Sequence, residues 1–222
     1  MNIQRQENGI IKLSNETLAQ LPPEVERPTY NRATLTPGIV HIGLGNFHRG
    51  HQAWYLHRLM QMGLGLDWAI IGAGVRAGDA IQRDRLAAQD YLTTLIQLDP
   101  AETTAEVIGS MIGFAPVEKD NAALIAQMAD PAIRIVALTV TEGGYFIDPA
   151  TKGFDATHPD IHQDAANPDA PMTAFGAMIA ALKLRRSAGI GPFTCMSCDN
   201  LQGNGAILRQ TVVSLARLSN PS

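Results

Sequence analysis

Residues 38–50 read Gly-Ile-Val-His-Ile-Gly-Leu-Gly-Asn-Phe-His-Arg-Gly, and the prediction of the fold starts from this stretch. It begins with a run of mostly β-branched residues that is too short for a helix and is typical of a strand. Beyond it, apolar residues from Ala53 to Gly63 recur at three- and four-residue spacing, which predicts the buried face of a helix. Gly43 and Gly45 therefore lie in a strand-to-helix turn.

The same alternation continues to the end of the chain. Further strands are predicted at residues 68–72, 91–98, 106–112, 133–140 and 193–198, with helices that begin near Asp79, Leu124, Phe175 and Leu208. Strands that alternate with helices predict an α/β fold: a doubly wound, mainly parallel Rossmann-type sheet with helices on both faces. Residues 1–36 are predicted to be an N-terminal arm with one short helix, residues 37–222 one domain, and the polar stretch 148–171 a long loop.

Charge and hydropathy argue against several classes of function. The net charge is −4 and the Lys and Arg residues form no block, so no nucleic-acid partner is expected. No run of about 18 apolar residues occurs, so no membrane span is expected. Residues 1–9 lack the apolar run of a signal peptide and the chain has two cysteines, which together predict a cytoplasmic location.

The turn after the first strand is a candidate binding site for a dinucleotide. Gly43 permits the tight bend, and Gly45 lets a pyrophosphate approach the backbone without meeting a Cβ. Amides at the start of the helix then point at the phosphates, with the helix dipole behind them. The third glycine of the usual pattern is replaced by His48, so a plain tight turn stays open as an alternative. The candidate cofactor-binding residues of this turn are Gly43, Gly45, Asn46, Phe47, His48 and Arg49.

Four ordered blocks carry a resemblance to a known family. They are IVHIGLGNFHRGHQAWYL at 39–56, DWAIIGAGVR at 67–76, RIVALTVTEGGY at 134–145 and FTCMSCDNLQGNG at 193–205. Together they resemble the mannitol dehydrogenase family of polyol-specific long-chain dehydrogenases and uronate reductases, most closely the branch that interconverts D-mannitol and D-fructose with NAD. The resemblance implies that residues 37–222 are an NAD-binding Rossmann domain and that a small-molecule polyol or ketose is the substrate.

Members of that family are about twice as long as this chain. The resemblance implies that their second, mostly helical half closes over the nicotinamide and carries a catalytic lysine. A chain limited to the first half is therefore expected to be inactive alone.

The end of the second strand is expected to select between NAD and NADP. Asp79 lies shortly after residues 71–74, where a carboxylate commonly binds the adenosine ribose hydroxyls and repels a 2′-phosphate. The resemblance aligns Asp79 with an acidic position that favours NAD. Two alternatives stay open, because Asp79 is also a candidate helix N-cap and the nearby Arg76 is suited to NADP. Arg76 and Asp79 are both candidate cofactor-binding residues.

The turn after the buried strand at 133–140 is expected to pass close to the nicotinamide ribose. Thr139 and Thr141 are its candidate cofactor-binding residues, and the two glycines at 143 and 144 permit a close approach. Glu142 is a candidate catalytic residue that moves a proton between the site and water, a task suited to a partly buried carboxylate. The alternative is an ordinary turn that carries a solvated acid.

Asn200 follows the last predicted strand and is the second candidate catalytic residue. A carboxamide N–H aimed at the substrate oxygen would stabilise the alkoxide that develops during hydride transfer. The resemblance places this asparagine in the active site. The alternative is that Asn200 caps the following helix, while Asp199 is expected to support the turn.

Two groups of potential metal ligands, a pair of cysteines and a set of histidines, are not expected to form a metal site. Cys195 and Cys198 form a CxxC, but the chain has no second pair, and side chains three apart on a strand point to opposite faces. His48, His51 and His57 have no acidic partner at the spacing of a zinc helix. His48 and Arg49 are expected either to contact phosphate as cations or to be solvated. His51 and His57 are expected at the surface.

Three alternatives to a polyol dehydrogenase stay open from the sequence. A uronate reductase of the same family would have the same cofactor domain. A non-catalytic nucleotide-binding module, such as a redox-sensing subunit, would share the glycine turn. A methyltransferase that uses S-adenosylmethionine also has a glycine turn and an acid after its second strand. The sequence does not indicate an oligomeric state.

Overall fold

The structure, a computed structural model, describes residues 10–220. Within that range the chain forms eight strands: β1 Val25–Glu26, β2 Pro37–Ile42, β3 Ala69–Ala73, β4 Thr93–Leu98, β5 Thr103–Ile108, β6 Met111–Phe114, β7 Ile135–Leu138 and β8 Thr194–Ser197. The helices are α1 Asn46–Gly50, α2 Gln52–Gln61, α3 Asp79–Ala87, α4 Ala122–Ala129, α5 Pro159–Ala166, α6 Ala174–Ser187 and α7 Asn204–Ser219. Short 3₁₀ helices cover Leu18–Gln20, Arg32–Thr34 and Glu142–Tyr145. Residues 1–9, which bear on the signal-peptide prediction, lie outside the described residues.

Five strands form one parallel sheet in the order β6-β3-β2-β7-β8. From the central β2 the chain winds outward through β3 and β6, returns to pair β7 with the other side of β2, and continues to β8. This path is doubly wound, so the predicted fold class is confirmed. It brings the carboxyl ends of β2, β3, β7 and β8 to one edge of the sheet.

Alternate strand residues face two separate apolar clusters, which lie on opposite faces of the sheet. Val40 and Val136 belong to the cluster formed with α4, α5, α6 and α7, and we call that side the four-helix face. Ile39 belongs to a smaller cluster formed with α2 and α3, and we call that side the α2 face. Cys195 packs on the four-helix face and Cys198 on the α2 face, which confirms that the CxxC side chains point apart.

Strands β4 and β5 form an antiparallel hairpin outside the parallel sheet, and β1 adds to it in parallel. The prediction of one strand at 106–112 is therefore wrong, because residues 109–110 separate β5 from β6. The guanidinium of Arg32 holds this junction by donating to the carbonyls of Gly109 at 2.9 Å and Met111 at 2.7 Å. The N-terminal arm is thus attached to the domain at the point where the chain changes sheets.

The single helix predicted after the glycine turn is divided into α1 and α2 at His51. In an uninterrupted helix the amide of His51 would donate to the carbonyl of Phe47. Here the ring Nδ1–H of His51 donates to that carbonyl at 2.9 Å instead. The backbone therefore leaves the helical conformation at His51, where φ is −123° and ψ is −85°.

The stretch 148–171, predicted to be a loop, contains α5. His158 caps this helix by accepting from the amide of Asp160 at 3.2 Å, and a proline occupies the first turn. Only Ile161 and Asp164 are buried along it, so the apolar periodicity was too weak to predict a helix. Asp164 accepts from the amides of the segment before α6, which fixes the start of that helix.

Candidate functional site

The carboxyl edge of the parallel sheet holds a cleft of about 520 Å³. Its walls come from the turns after β2, β3 and β7 and from the start of α6. Five of the predicted cofactor-binding residues line it, and these are Gly43, Arg76, Asp79, Thr139 and Thr141. The sheet therefore brings together residues that lie almost a hundred positions apart in the chain.

The two glycines of the first turn differ in why they must be glycine. Gly43 has φ +92°, and a Cβ there would overlap the carbonyl oxygen of Thr139 and lie 2.8 Å from its carbonyl carbon. Gly45 has an ordinary φ of −78°, and an added Cβ would meet no atom within 4 Å. Gly43 is thus required by the fold itself, whereas Gly45 leaves open space at the N-cap of α1.

The residues after Gly45 differ in exposure. Asn46 and Phe47 are exposed, with 55 % of Phe47 accessible, and the Phe47 ring stacks on His51 at a centroid distance of 4.3 Å. Arg49 is half-buried and donates to the side chain of Asn46. Phe47 lines the second cleft described below, whereas Asn46 and Arg49 line neither cleft.

The expected position of His48 is corrected by the structure. Its side chain is buried, with 1 % exposure, and its ring packs against that of His41 in β2, tilted by 31° at a centroid distance of 3.7 Å. Burial holds the pKa of His48 well below its usual range, and the neighbouring His41 lowers it further. His48 is therefore neither a cationic contact to phosphate nor a solvated residue.

His57 is buried as well, not at the surface as predicted. Its Nδ1 lies 2.7 Å from the hydroxyl of Tyr30, and its Nε2 lies 3.2 Å from a carboxylate oxygen of Glu106. Burial lowers the pKa of His57 in spite of that carboxylate. The contacts join the N-terminal arm, α2 and β5, which is a structural role remote from the cleft.

Asp79 lies beside the cleft, as the first residue of α3, and its carboxylate has one defined internal partner. Oδ2 accepts from the amide of Arg76 at 2.9 Å. The N-cap of α3 is Gly78, so the alternative that Asp79 is only a helix N-cap is wrong. A Cβ at Gly74 would overlap the Asp79 side chain, which shows how closely the carboxylate packs on the end of β3. The Arg76 side chain is exposed at the rim.

The turn after β7 is held by Asp199, which follows β8. Its two carboxylate oxygens accept from the amides of Val140 and Thr141, both at 3.0 Å. Oδ2 also accepts from the hydroxyl of the fully buried Tyr145 at 2.7 Å. Burial raises the pKa of Tyr145 above its ordinary value, and the Asp199 carboxylate raises it further. The expectation that Asp199 supports the turn is confirmed.

The backbone of Thr141 shows what the hydrogen bonds to Asp199 stabilise. Its φ of +67° with ψ of 166° is a backbone conformation that normally belongs to glycine. The amide of Thr141 donates to Asp199, and this hydrogen bond stabilises the strained residue. The turn after β7 is therefore held in one conformation by groups more than fifty positions away.

The two candidate catalytic residues lie on the two turns that Asp199 joins. Asn200 is exposed, and it does not cap α7, whose N-cap is Gly203. Glu142 begins the 3₁₀ helix after β7 and is exposed, so the expectation of a partly buried carboxylate is wrong. Both side chains are exposed, and neither lines the cleft.

A second cleft, of about 500 Å³, opens on the α2 face. Its lining is mostly apolar and includes Phe47, Tyr55 and Met196, together with His41 and His48. Thr139 lines both clefts. The two cavities therefore lie on either side of the glycine turn and meet at the end of β7.

Sequence reasoning did not identify His41 and Tyr145. His41 is visible in retrospect as a lone imidazole inside the apolar run of β2, and it is completely buried. Tyr145 gave no signal, because its partners Ser197 and Asp199 lie 52 and 54 residues away.

Burial raises the pKa of the Cys195 thiol to about 11. Among residues 10–220, no group of three or more His, Cys, Asp or Glu side chains is placed to hold a metal ion.

None of the helices within residues 10–220 combines the length and apolar character needed to cross a membrane.

Comparison with known proteins gives a consistent result. The family model described as the mannitol dehydrogenase Rossmann domain matches residues 37–221. Mannitol 2-dehydrogenase of Cereibacter sphaeroides is 64% identical over 194 residues, which is 87% of this chain and 40% of that protein. Mannitol 2-dehydrogenase of Pyricularia oryzae is 43% identical over 217 residues, covering 95% of this chain and 43% of the relative.

A solved structure agrees. Mannitol 2-dehydrogenase of Pseudomonas fluorescens, in a ternary complex with NAD and D-mannitol, superposes with a TM-score of 0.92 at 50% identity and covers 95% of this chain. The match spans 43% of that structure, so the chain corresponds to less than half the length of the relatives it matches. This chain belongs to the mannitol dehydrogenase family, and residues 37–221 are its Rossmann domain.

Proposed function

We propose that this chain binds NAD and is the cofactor-binding half of an oxidoreductase that interconverts a mannitol-type polyol and the matching ketose. The observation that carries the proposal is the open space at Gly45, at the start of α1 and next to a cleft that holds Asp79. The similarity to mannitol 2-dehydrogenases, one of them solved with NAD and D-mannitol, supports the same function.

The residues present fit a dinucleotide. No side chain fills the space at Gly45, and amides in the first turn of a helix have no intrahelical partner. Asp79 uses Oδ2 for the amide of Arg76, so its other oxygen is available to the ribose hydroxyls of an adenosine in the first cleft. Because Thr139 lines both clefts, an extended ligand would cross the glycine turn from one cleft to the other.

NAD supplies the hydride acceptor when it is bound. The carboxamide N–H of Asn200 would hold the substrate oxygen, where it stabilises negative charge that develops during the transfer. Glu142 is exposed and would exchange a proton with water. Asp199 binds the turn that carries Glu142 and directly precedes Asn200, so it sets the relative positions of the two.

We propose that this chain alone turns over polyol hardly at all. Among residues 10–220, no lysine lines either cleft, and the oxygens of Asp199 are occupied by three donors. A steady-state assay with mannitol and NAD, or with fructose and NADH, tests this. We expect a rate far below the ~10 s⁻¹ typical of enzymes, and a rate near that value would contradict the proposal.

Calorimetric titration with NADH, NADPH and S-adenosylmethionine tests the cofactor. NADH is expected to bind about tenfold more tightly than NADPH, and S-adenosylmethionine not to bind. Gly45→Val should abolish NADH binding because the side chain fills the open space. Gly191→Val is the matched control, since Gly191 also has no neighbour within 4 Å and lies before β8, at the opposite edge of the sheet. Tighter binding of S-adenosylmethionine than of NADH would overturn the assignment.

Two alternatives would pass that titration. A uronate reductase of the same family and a non-catalytic nucleotide-binding module would both bind NADH. The match to the mannitol 2-dehydrogenase solved with NAD and D-mannitol supports the polyol assignment. Assays of a full-length protein with mannitol, fructose and fructuronate would separate the three functions.

We also propose that the domain begins at residue 37 and that the protein acts in the cytoplasm. The start of the family match at residue 37 supports the boundary. Cys195 and Cys198 are free thiols, which suits a reducing compartment. Cell fractionation with an antibody against this domain would test the location.

A further inference from the structure

His41 is a polar residue at an unexpected place. It lies in the central strand β2, two residues before Gly43, and its side chain is completely buried on the α2 face. A buried imidazole destabilises a protein unless its N–H groups are hydrogen-bonded. The partner of His41 is the hydroxyl of Thr139 at the end of β7, 98 residues away, at 2.8 Å.

The direction of the hydrogen bonds follows from the chemistry of the atoms. The Thr139 hydroxyl donates to the carbonyl oxygen of Gly43, which can only accept. The hydroxyl has one proton, so it must accept from His41, and His41 must carry its proton on Nε2. Burial lowers the pKa of His41 to about 4, so the ring is neutral at pH 7. A chain of two hydrogen bonds, which we call the relay, therefore runs from the Nε2–H of His41 through the Thr139 hydroxyl to the carbonyl of Gly43.

The ring of His41 is held in place on its other side. The ring of His48 packs against it in a tilted arrangement, and the Nδ1–H of His48 donates to the side-chain oxygen of Gln52 at 3.1 Å. The Nδ1 of His41 and the Nε2 of His48 have no hydrogen-bond partner and carry no proton in these tautomers. The Nε2–H of His41 is thus the donor that the ring directs toward the turn.

The relay controls one peptide group of the glycine turn. In a trans peptide the C=O and the N–H point in opposite directions, so fixing the carbonyl of Gly43 also fixes the amide of Leu44. Without the Thr139 hydroxyl this peptide keeps only the hydrogen bond that the amide of Gly45 donates to its carbonyl at 3.0 Å. Gly43 also lacks the Cβ that would restrict its rotation. A rotated peptide would present its carbonyl oxygen, which repels a phosphate.

We propose that His41 is a positioning residue for the dinucleotide. Acting through the Thr139 hydroxyl, it fixes the peptide after Gly43 so that amides rather than a carbonyl oxygen face the pyrophosphate. The inference rests on the proposed function, because it requires a ligand with phosphates at this turn. It also reassigns Thr139, whose hydroxyl holds the turn instead of contacting the cofactor.

Four variants test the relay. His41→Leu and Thr139→Val remove the donor or the hydroxyl at similar size, whereas His41→Gln and Thr139→Ser keep them. NADH and ADP-ribose, which carry the pyrophosphate, are titrated by calorimetry, and adenosine, which lacks it, by NMR. We expect the first two variants to weaken both pyrophosphate ligands by about fivefold to tenfold and to leave adenosine unchanged. The Gln and Ser variants should stay within about twofold of the parent chain.

The double variant His41→Leu/Thr139→Val should be no weaker than either single variant, because both break one relay. Nitrogen-15 NMR of the histidine rings provides a readout that needs no ligand, and should show His41 protonated at Nε2 and neutral at pH 7. Protonation at Nδ1 would overturn the proposal, and so would equal weakening of adenosine and NADH. If NADH binds the parent chain and His41→Leu equally, only the relay fails. If NADH does not bind the parent chain, the proposed function fails with it.

Discussion

The two sides of the crevice at the carboxyl edge are built in different ways. One side, which we call the clamped side, comprises residues 139–145 and 197–200, and side-chain hydrogen bonds between distant segments hold it. The other side, which we call the open side, comprises residues 74–79. Its defining contact joins Asp79 to the amide of Arg76, three positions away, and residues 76–78 are exposed.

The difference suggests a division of labour. Long-range hydrogen bonds to Asp199 pre-organise the side that faces the proposed chemistry, where a small displacement would be costly. The open side depends on one local contact, and its side chains remain free to meet the ligand. Changes on the clamped side should therefore alter stability, and changes on the open side should alter which ligand binds.

Gly43→Ala is expected to have the largest effect, because the clamped side leaves no room for a methyl group. The new Cβ would overlap the Thr139 carbonyl, and φ of +92° is unfavourable for alanine. We expect a loss of about 3 kcal/mol or more in the free energy of unfolding, measured by urea denaturation. Gly45→Ala is the matched control and should change it by less than about 0.5 kcal/mol. Equal losses would show that the two glycines do not differ as described.

Asp199→Ala removes the acceptor that holds the clamped side. It leaves the amides of Val140 and Thr141 and the hydroxyl of Tyr145 without their partner. The expected loss in unfolding free energy is about 2 to 4 kcal/mol, measured by urea denaturation. Asp79→Ala on the open side should cost less than about 1 kcal/mol, since a single local hydrogen bond is lost. The reverse order would contradict the comparison.

Acid should lower the free energy of unfolding through His41, which bonds to Thr139 of the clamped side. Burial lowers the pKa of His41 from 6.5 to about 4, so between these pH values the unfolded chain binds a proton that the folded chain does not. The contribution of His41 is therefore complete above its unfolded pKa, and about 2 kcal/mol of it is lost between about pH 7 and pH 5. His48 and His57, whose pKa values burial also lowers, act in the same direction.

Urea denaturation at pH 7 and at pH 5 measures this loss. His41→Gln, which does not titrate there, should show a smaller loss than the parent chain. His162→Gln is the control, because His162 is exposed. An identical pH dependence for His41→Gln and the parent chain would contradict a neutral, buried His41.

Asp79→Asn is expected to have the smallest effect on stability but to change cofactor preference. Removal of the negative charge relieves the repulsion of a 2′-phosphate, and Arg76 remains exposed at the rim to attract it. We expect the ratio of NADPH to NADH affinity to rise by about tenfold, measured by calorimetric titration. Asp84→Asn is the control, since Asp84 is an exposed acid of the same helix that does not line the cleft. An unchanged ratio would remove Asp79 from the selection of the cofactor.

The sequence alone determined the features that depend on nearby residues. Alternating apolar runs and helical periodicities predicted the doubly wound sheet, and the strand before Gly43 placed the glycine turn at its carboxyl edge. The opposite orientations of Cys195 and Cys198 follow from the two-residue period of a strand. Each of these signals lies within about ten positions of chain, which is the range over which periodicity and turn chemistry act.

Only the tertiary structure decided how the polar side chains are used. Asp79 and Asp199 both follow strands, yet one has a single local partner and the other accepts from three donors on distant segments. His48 follows the glycine turn as a phosphate-binding residue would, yet it is buried against His41. The hydrogen bonds of His41 and Asp199 join segments that lie 54 to 98 positions apart in the chain, and local pattern carries no record of such contacts.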